Sequence, residues 1–384
     1  MICRSCGELA KPIFTLGKLP LVNSLLTSPR EPFEKYPLDV MLCSGCLLGQ
    51  LRDSVPPEKM FREYVYYSAV SGPTMESAKL LVSRLIEGMT DQRNALVVEI
   101  GSNDGYLLQF YREQGIQVLG VDPARGPANA AALRGIPTVQ DFLTLNLSRQ
   151  LPKADIIHAN NVLAHVPELN DFVAALSELL KPSGACFVEV PYLGDLLEKC
   201  EFDTVYHEHQ YYFSLRSLES LFGRHGLFIA NAESLASHGG SLRLTLRKDD
   251  THAITITDAI PADYSDMQKR IENISNNLKT VLINLRQEGK RVWGFGAAAK
   301  ATVMLNYCGI DNELIEAVAD STPAKIGMYI PGTGIEIRHP EKWIESQPDY
   351  TCIFAWNYAH EITRRYAQEY RGRFFTPYVL PEAF

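Results

Sequence analysis

The segment VVEIGSNDGYLL, residues 97–108, constrains the fold of this 384-residue chain more than any other. Its apolar start is typical of a buried β-strand, which Gly101 and Gly105 break before a helix begins. Gly101 has no Cβ, so the backbone can approach a ligand closely there. The first N–H groups of the following helix can then bind a polar or anionic group. The segment predicts a strand–turn–helix unit with a ligand at the turn; a tight turn that binds nothing is the alternative.

Acidic residues near this turn indicate a nucleoside ligand. Glu99, Gly101 and Gly105 form an acidic-x-Gly-x-x-x-Gly turn. The next strand ends in Asp122, about 20 residues further on, where a doubly wound sheet places the carboxylate that binds a ribose diol. The spacing is not the dinucleotide pattern Gly-x-Gly-x-x-Gly, and no Walker lysine is present. The turn resembles the glycine-rich loop of class I S-adenosylmethionine (SAM) methyltransferases, and we expect Asn103 to line the cofactor site with it.

Strands and helices alternate from about residue 95 to 190, which predicts a parallel sheet covered on both faces. In such a sheet the ligand lies beyond the carboxyl ends of the strands. Asn160 and Asn161 end one predicted strand and should border the cofactor pocket. Asp141 and Phe142 follow another; the carboxylate there would accept a hydrogen bond from an adenine amino group, or it would cap a helix.

Four of the eight cysteines form two CxxC pairs, MICRSC and LCSGC. Two such pairs are typical of knuckles that bring four thiolates to one tetrahedral Zn²⁺. A disulfide pair and metal-free thiols are the alternatives. Four cysteine ligands leave no open coordination position, so the predicted zinc is structural. The predicted ligands are Cys3, Cys6, Cys43 and Cys46.

Length and charge limit the class of protein. A chain of 384 residues with 46% apolar content can form two or three cores, and we expect domains at 1–70, 71–265 and 266–384. The net charge of −8 argues against a nucleic-acid partner. No stretch has the length of a membrane-spanning helix, and no apolar signal region is evident. We therefore expect a cytoplasmic protein with no membrane partner, as a monomer or small homo-oligomer.

Reactive side chains are most crowded in FDTVYHEHQYYFSL, residues 202–215. Tyr206, His207, Glu208 and His209 are consecutive, in an aromatic setting where burial and mutual charge can tune pKa values. A histidine of near-neutral pKa suits proton abstraction, and an adjacent glutamate can bind a hydroxyl or orient the imidazole. In an extended segment His207 and His209 would share a face opposite Glu208. Two structural histidines are the simplest alternative, and a metal-binding pair is another.

A second ligand-binding motif follows an amphipathic helix in the last third of the chain. In GFGAAAK, residues 294–300, two glycines and a run of three alanines let a helix start close to a ligand, and Lys300 lies in about its first turn. A helix N-terminus with a lysine is a geometry that binds phosphates. Asp320 ends the next strand, in the place of a ribose-binding acid, and Lys325 lies nearby. The alternative is a domain that binds nothing and only closes the cleft.

Taken in order, these motifs resemble those of the sugar C-methyltransferases that act on nucleotide-linked 4-keto-deoxysugars. YHEHQYYFS is the most specific match, followed by HGGSLR at 238–243 and by GFGAAAK; the CxxC pairs correspond to the zinc module of that family. The resemblance implies an α/β fold: a class I Rossmann-like core between a small zinc-binding domain and a Rossmann-like C-terminal domain. It implies SAM and structural zinc as cofactors, and a nucleotide-diphosphate sugar as the substrate.

The resemblance also implies residue roles. His209 would remove a proton beside the 4-keto group, while Tyr206 and Glu208 orient the sugar or stabilise the enolate. A junction tyrosine, Tyr64 or Tyr66, would also act in catalysis. The expected substrate-binding residues are His207, His238, Ala298, Lys300 and Lys325. The implied reaction is SAM-dependent methylation at C3 or C5 of a dTDP- or GDP-linked sugar. An O- or N-methyltransferase of a sugar or small metabolite, and a non-catalytic nucleotide-sugar-binding protein, are the alternatives.

Overall fold

The computed structural model describes residues 1–56, 60, 67–70, 72–89, 91–235, 240–255, 260 and 263–381. These residues form three β-sheets of four, seven and five strands. The sheets follow one another along the chain in the order zinc-binding unit, central unit and C-terminal unit. The expected limits of the three domains stay a prediction.

The zinc-binding unit is built on an antiparallel sheet. Its strands are β1 (Ala10–Pro20), β2 (Lys35–Cys43) and β3 (Gly49–Leu51), and a fourth strand, β9 (Tyr211–Tyr212), completes it. β9 comes from the middle of the chain, from within the reactive segment at residues 202–215, and Tyr212 pairs with Gly49. The zinc-binding unit and the reactive segment are therefore joined by main-chain hydrogen bonds.

The central unit has a seven-stranded sheet. Its strands are β4 (Leu96–Ile100), β5 (Gln117–Val121), β6 (Thr138–Val139), β7 (Ala154–Asn160), β8 (Leu180–Pro191), β10 (Phe228–Leu235) and β11 (Ser241–Arg247). They lie in the order β6-β5-β4-β7-β8-β11-β10. β4 to β8 are parallel, and β11 runs antiparallel to β8. β4 lies between β5 and β7, so the chain order reverses there and leaves a ligand crevice at the carboxyl ends.

Helices of the central unit connect and cover these strands. They are α1 (Gly72–Glu87), α2 (Leu108–Glu113), α3 (Arg125–Leu133), α4 (Leu145–Ser148), α5 (Leu169–Leu179), α6 (Leu193–Lys199) and α7 (Leu215–Gly223). The strands are apolar because both of their faces are covered; Val97 and Val98 are fully buried.

The C-terminal unit begins with α8 (Met267–Gln287), whose buried side chains recur at helical spacing. A parallel sheet of β12 (Val292–Phe295), β13 (Ala317–Ala319), β14 (Glu336–Arg338), β15 (Tyr350–Ile353) and β16 (Arg373–Phe375) follows, in the order β14-β13-β12-β15-β16. Its helices are α9 (Ala299–Cys308), α10 (Pro340–Ser346) and α11 (Ala359–Tyr366). This is a second doubly wound sheet, with its own ligand edge beyond the strand ends.

One apolar core continues from the zinc-binding unit into the C-terminal unit. Leu38 of β2, Leu278 of α8 and Phe354 after β15 belong to it and are fully buried. Phe202 and Val205, at the start of the reactive segment, are also buried in this core. Burial of these side chains therefore fixes the reactive segment between the two units.

Candidate active site

Positive backbone angles shape the glycine-rich turn after β4. Gly101 has φ of +67°, and a Cβ at this position would overlap Val162 Cγ2. Gly105 has φ of +77°, and a Cβ there would lie 2.9 Å from Ile136. Both positions therefore require glycine, for conformation and for space. Asn103, between them, is also left-handed, with φ of +49°.

Three buried carboxylates, Glu99, Asp104 and Asp122, lie at this turn. Asp122, which is 5% exposed, accepts the N–H groups of Asn103 and Ala124, both at 2.8 Å. Its carboxylate thereby fixes the shape of the turn. Glu99 is 1% exposed, and burial followed by the charges of Asp122 and Asp104 raises its pKa well above the usual range. A ligand that brings hydroxyl or ammonium donors would relieve this concentration of negative charge.

The other predicted cofactor residues follow neighbouring strands. Asn160 ends β7, and Asn161 has φ of +55° and donates its backbone N–H to Glu189 O at 2.8 Å. Asp141 is exposed and accepts the N–H of Phe142 at 2.8 Å. Because β4 to β7 are parallel, their carboxyl ends meet at the same edge as the glycine-rich turn.

The reactive segment forms a tight turn. The backbone N–H of His209 donates to Tyr206 O at 2.9 Å, so the segment is not extended and the expected common face of His207 and His209 is wrong. Tyr206 and His209 come together instead, with 2.9 Å between the tyrosine hydroxyl and Nε2. His207 is buried, and its Nε2–H donates to Tyr36 O of the zinc-binding unit at 3.1 Å.

All three units contribute a partner to Glu208, the third residue of this turn. From the zinc-binding unit, Asn23 Nδ2 donates to Glu208 Oε1 at 2.6 Å. From the central unit, His165 Nδ1–H donates to the Glu208 backbone oxygen at 2.7 Å. From the C-terminal unit, the charge of Lys325 acts on the carboxylate. Burial raises the pKa of Glu208 to about 7, although Asn23 and Lys325 both lower it.

The loop after β7 connects this turn to the glycine-rich turn. Val162 of the loop lies against Gly101, and His165 donates its backbone N–H to Val162 O at 2.8 Å. The His165 ring packs edge-on against His209, with 4.8 Å between the ring centroids. Burial lowers the pKa of His165 to about 4, so this imidazole is neutral at physiological pH. The predicted cofactor and substrate sites are therefore adjacent.

Sequence reasoning missed Asn23 as a site residue. It lies 185 positions before its partner Glu208, and the only local signal around it, a proline and an asparagine in an apolar stretch, indicates an ordered loop. Ser68, close in sequence to Tyr64 and Tyr66, contacts the glycine-rich turn: its backbone N–H donates to Asn103 Oδ1 at 2.9 Å. Tyr64, Tyr66 and His238 lie outside the described residues, and their roles stay predictions.

The C-terminal unit repeats the geometry of the glycine-rich turn. Gly296 after β12 has φ of +88°. Asp320 after β13 accepts the N–H groups of Ala297 and Thr322, both at 2.8 Å, as Asp122 does in the central unit. Lys325 Nζ donates to Ala297 O at 2.8 Å. The C-terminal unit thus repeats a carboxylate that accepts two turn N–H groups at its strand ends, and nucleotide binding there stays a prediction.

Lys300 lies in the first turn of α9, two residues after the N-cap residue Ala298. Its ammonium is 3.8 Å from the centroid of the Trp356 ring and 3.3 Å from Asn357 Oδ1. Burial lowers the pKa of Lys300, whereas the charges of Asp203 and Glu201 raise it. The lysine is thus held at the carboxyl edge of the C-terminal sheet, where α9 begins.

The four predicted zinc ligands form one compact group. Their Sγ atoms all lie within 4.8 Å of one another, with 3.8 Å between Cys3 and Cys46 and 3.4 Å between Cys6 and Cys43. A disulfide needs about 2.05 Å, whereas Zn–S bonds of about 2.3 Å in a tetrahedron place the sulfurs about 3.8 Å apart. The geometry fits Zn²⁺ and excludes disulfides. Among the described residues, no other group of three or more His, Cys, Asp or Glu side chains could hold a metal.

Three family models match the chain in succession. They describe a zinc binding domain at residues 3–61, a methyltransferase domain at 76–231 and a C-methyltransferase C-terminal domain at 236–379. The chain is 33% identical to the C-methyltransferase NovU of Streptomyces niveus, over 99% of this chain and 95% of that protein.

Other similarities cover a smaller part of the chain. A ubiquinone biosynthesis O-methyltransferase of Histophilus somni (strain 2336) is 28% identical over 28% of this chain and 48% of that protein. A solved structure of magnesium protoporphyrin IX methyltransferase from Synechocystis PCC 6803 with bound SAM has 16% identity and a TM-score of 0.36. It covers 45% of this chain and 79% of that one.

These matches agree with the geometry. The methyltransferase model spans the glycine-rich turn, and the zinc-binding model spans the four cysteines. In the described part of the chain, no helix is both long and apolar enough to cross a membrane. SAM is the cofactor, and the cysteine group holds a structural zinc ion. The chain belongs to the C-methyltransferase family and is a SAM-dependent methyltransferase with a class I Rossmann-like core.

Proposed function

We propose that this enzyme methylates C3 or C5 of a dTDP- or GDP-linked 4-keto-deoxysugar, with His209 as the base. The hydrogen bond of 2.9 Å between the Tyr206 hydroxyl and His209 Nε2 carries this proposal. Transfer of a methyl group to carbon needs a nucleophilic carbon. Protons beside a ketone can be removed because the resulting enolate spreads its charge onto oxygen. A histidine paired with a tyrosine suits that step.

The side chains of the turn have complementary roles in this proposal. His209 takes the proton, and the imidazolium then donates through Nε2 to the Tyr206 oxygen. Tyr206 and His209 are partly exposed, whereas Glu208 between them is buried. With a pKa of about 7, Glu208 is present in both protonation states near neutral pH. It can therefore accept from a sugar hydroxyl when ionised, or donate to the ketone oxygen when protonated.

Alignment of the two substrates is the second requirement. SAM supplies the methyl group when it is bound. We call the turn Tyr206–His209 the catalytic turn. The loop from Val162 to His165 lies between the glycine-rich turn and the catalytic turn, so it sets the distance from the cofactor site to the base. Orientation of two bound reactants accounts for a large part of the acceleration of such a transfer. At the other end of the substrate, the edge formed by Gly296, Asp320 and Lys300 suits a nucleoside diphosphate.

His209→Asn tests the proposed base, with Tyr206→Phe as a second variant. Purified enzyme is incubated with SAM and a panel of dTDP- and GDP-linked keto-sugars, and the products are detected by mass. We expect kcat to fall by roughly 10²- to 10⁴-fold in His209→Asn, while the Kd for SAM, measured by calorimetry, stays within about twofold. Methylation at a near wild-type rate would show that His209 is not the base.

Isotope exchange tests the reaction type. In deuterated water without SAM, the wild-type enzyme should exchange one C–H of the keto-sugar for deuterium, and His209→Asn should not. An O- or N-methyltransferase would transfer the methyl group without any such exchange. An enzyme that methylates the sugar with SAM but exchanges no C–H for deuterium in the assay without SAM would therefore contradict enolate formation.

A further inference from the structure

A fully buried carboxylate, Asp203, lies three residues before Tyr206, the first residue of the catalytic turn. Asp203 is in the short 3₁₀ helix Phe202–Thr204 and is 0% exposed. Its neighbours Phe202 and Val205 are fully buried in the core shared with the C-terminal unit. A carboxylate is costly to bury unless hydrogen bonds satisfy it. The partners of Asp203 therefore indicate why it lies there.

Both oxygens of Asp203 are satisfied by the C-terminal unit. Trp356 Nε1 donates to Oδ2 at 2.8 Å, and the Tyr378 hydroxyl donates to Oδ1 at 2.6 Å. The two donor rings pack edge-on at 5.4 Å between centroids. Trp356 follows β15 and Tyr378 follows β16, so both donors lie at the carboxyl edge of the C-terminal sheet. This is the edge on which an open α/β sheet binds its ligand.

The same contacts reach Lys300. Its ammonium lies over the Trp356 ring at 3.8 Å, and the charge of Lys300 lowers the pKa of Asp203, which burial otherwise raises. Asp203, Trp356, Tyr378 and Lys300 thus form one connected group. At one end of it is the proposed nucleotide edge, and at the other end is the main chain that enters Tyr206.

We propose that Asp203 is a positioning residue, which fixes the catalytic turn against the C-terminal unit through Trp356 and Tyr378. The inference rests on the proposed role of the turn in proton abstraction. Asp203 acts on Tyr206 and His209 through the backbone that leads to them. A shift of about 1 Å in such a turn can cost roughly 100-fold in rate. The loss should therefore appear in kcat and not in cofactor binding.

Two variants test this group, with a matched control. Asp203→Asn keeps the shape but removes the charge: its amide oxygen can accept from Trp356 Nε1, while its N–H₂ then faces the Tyr378 hydroxyl, which has to turn from donor to acceptor. Tyr378→Phe removes one donor. Tyr370→Phe is the control, because its hydroxyl donates to Pro348 O at 3.0 Å elsewhere in the C-terminal unit. We expect kcat to fall at least tenfold in Asp203→Asn and at least threefold in Tyr378→Phe. The KM for SAM should stay within twofold, and Tyr370→Phe should retain kcat.

Non-additivity separates positioning from general destabilisation. Adding Tyr378→Phe to Asp203→Asn should lower kcat by less than the single changes multiplied together, because both remove one interaction. An unchanged kcat in a folded Asp203→Asn enzyme would overturn the proposal, and so would an equal loss in Tyr370→Phe.

A second readout needs no substrate. The imidazole NMR signals of His209, assigned by their loss in His209→Asn, should shift in Asp203→Asn and Tyr378→Phe but not in Tyr370→Phe. Signals that stay at the wild-type positions in Asp203→Asn would overturn the inference. If the wild-type enzyme methylates no keto-sugar, the proposed substrate is wrong, and the NMR comparison still decides whether Asp203 positions the turn.

Discussion

Replacing Asn23 by alanine should move the acidic limb of the pH–rate profile to higher pH. Burial raises the pKa of Glu208 to about 7, and the hydrogen bond from Asn23 Nδ2 at 2.6 Å lowers it by favouring the ionised form. Without this donor, less of the increase in pKa caused by burial is offset, so the pKa of Glu208 rises further. If methylation needs ionised Glu208, the rate at neutral pH must fall.

The size of the shift follows from the hydrogen bond. A hydrogen bond to a charged group contributes roughly 1.5–3 kcal/mol, and one pKa unit corresponds to about 1.36 kcal/mol. Glu208 is 5% exposed, so water cannot easily replace the lost donor. We therefore expect the pKa to rise by about one to two units. The ionised fraction at pH 7 then falls from about one half to a few per cent, and kcat/KM falls roughly tenfold.

The assay is the rate of methyl transfer from SAM, measured from about pH 5 to 9 for wild-type enzyme and Asn23→Ala. Asn306→Ala is the matched control, because Asn306 Nδ2 donates at 2.9 Å to two backbone oxygens, those of Thr302 and Pro331, and to no carboxylate. Glu208→Gln should lack the limb near pH 7. A limb that stays in place in Asn23→Ala, or moves to lower pH, would refute the reasoning.

Three further predictions concern stability, cofactor and metal. Because the pKa of Glu208 is raised from 4.5 to about 7, the folded state binds this proton more tightly and loses roughly 3 kcal/mol of stability as pH rises through that window. In denaturant unfolding, the free energy of unfolding of Glu208→Gln relative to wild type should therefore rise between about pH 5 and pH 8. An equal difference between the two proteins at both pH values would contradict this. Gly101→Ala would place a methyl group against Val162 at a φ of +67°, so calorimetry should show that SAM binds at least tenfold more weakly. Adding Val162→Ala to this variant should restore part of the lost SAM affinity. Cys43→Ser should lose the bound zinc, as measured by elemental analysis, and should also lose methylation, because β9 of the same sheet follows the catalytic turn. Cys186→Ala is the control and should keep the metal. Full activity without zinc would refute the link between the metal and catalysis.

Features set by local sequence were predictable. The alternation of strands and helices expected from about residue 95 to 190 is observed from β4 (Leu96–Ile100) to β8 (Leu180–Pro191). The two CxxC pairs give the metal group, since the ligand spacing within a knuckle is local. Periodicity and short spacings carry this information because neighbouring residues determine them.

Features set by tertiary contacts were not predictable. An extended YHEHQYY would place His207 and His209 on one face, but a backbone hydrogen bond from His209 to Tyr206 closes the segment into a turn. The pairing of β9 with β3 joins parts of the chain far apart in sequence. Asp122 and Asp320 each accept hydrogen bonds from two backbone N–H groups, and these contacts also exist only in the folded turns. In each case a distant partner, and not the local pattern, decides the geometry.

The position of Glu208 explains why three units are needed for one carboxylate. Burial makes its charge unfavourable, and the groups that offset this come from the zinc-binding unit, through Asn23, and from the C-terminal unit, through Lys325. The central unit supplies His165, which holds the backbone of the turn. A SAM-binding core without the other two units would leave this carboxylate in water with an ordinary pKa, near 4.3. A glutamate that titrates near neutral pH is thus a property of the assembled chain, so the proposed proton chemistry depends on both flanking units as much as on the core.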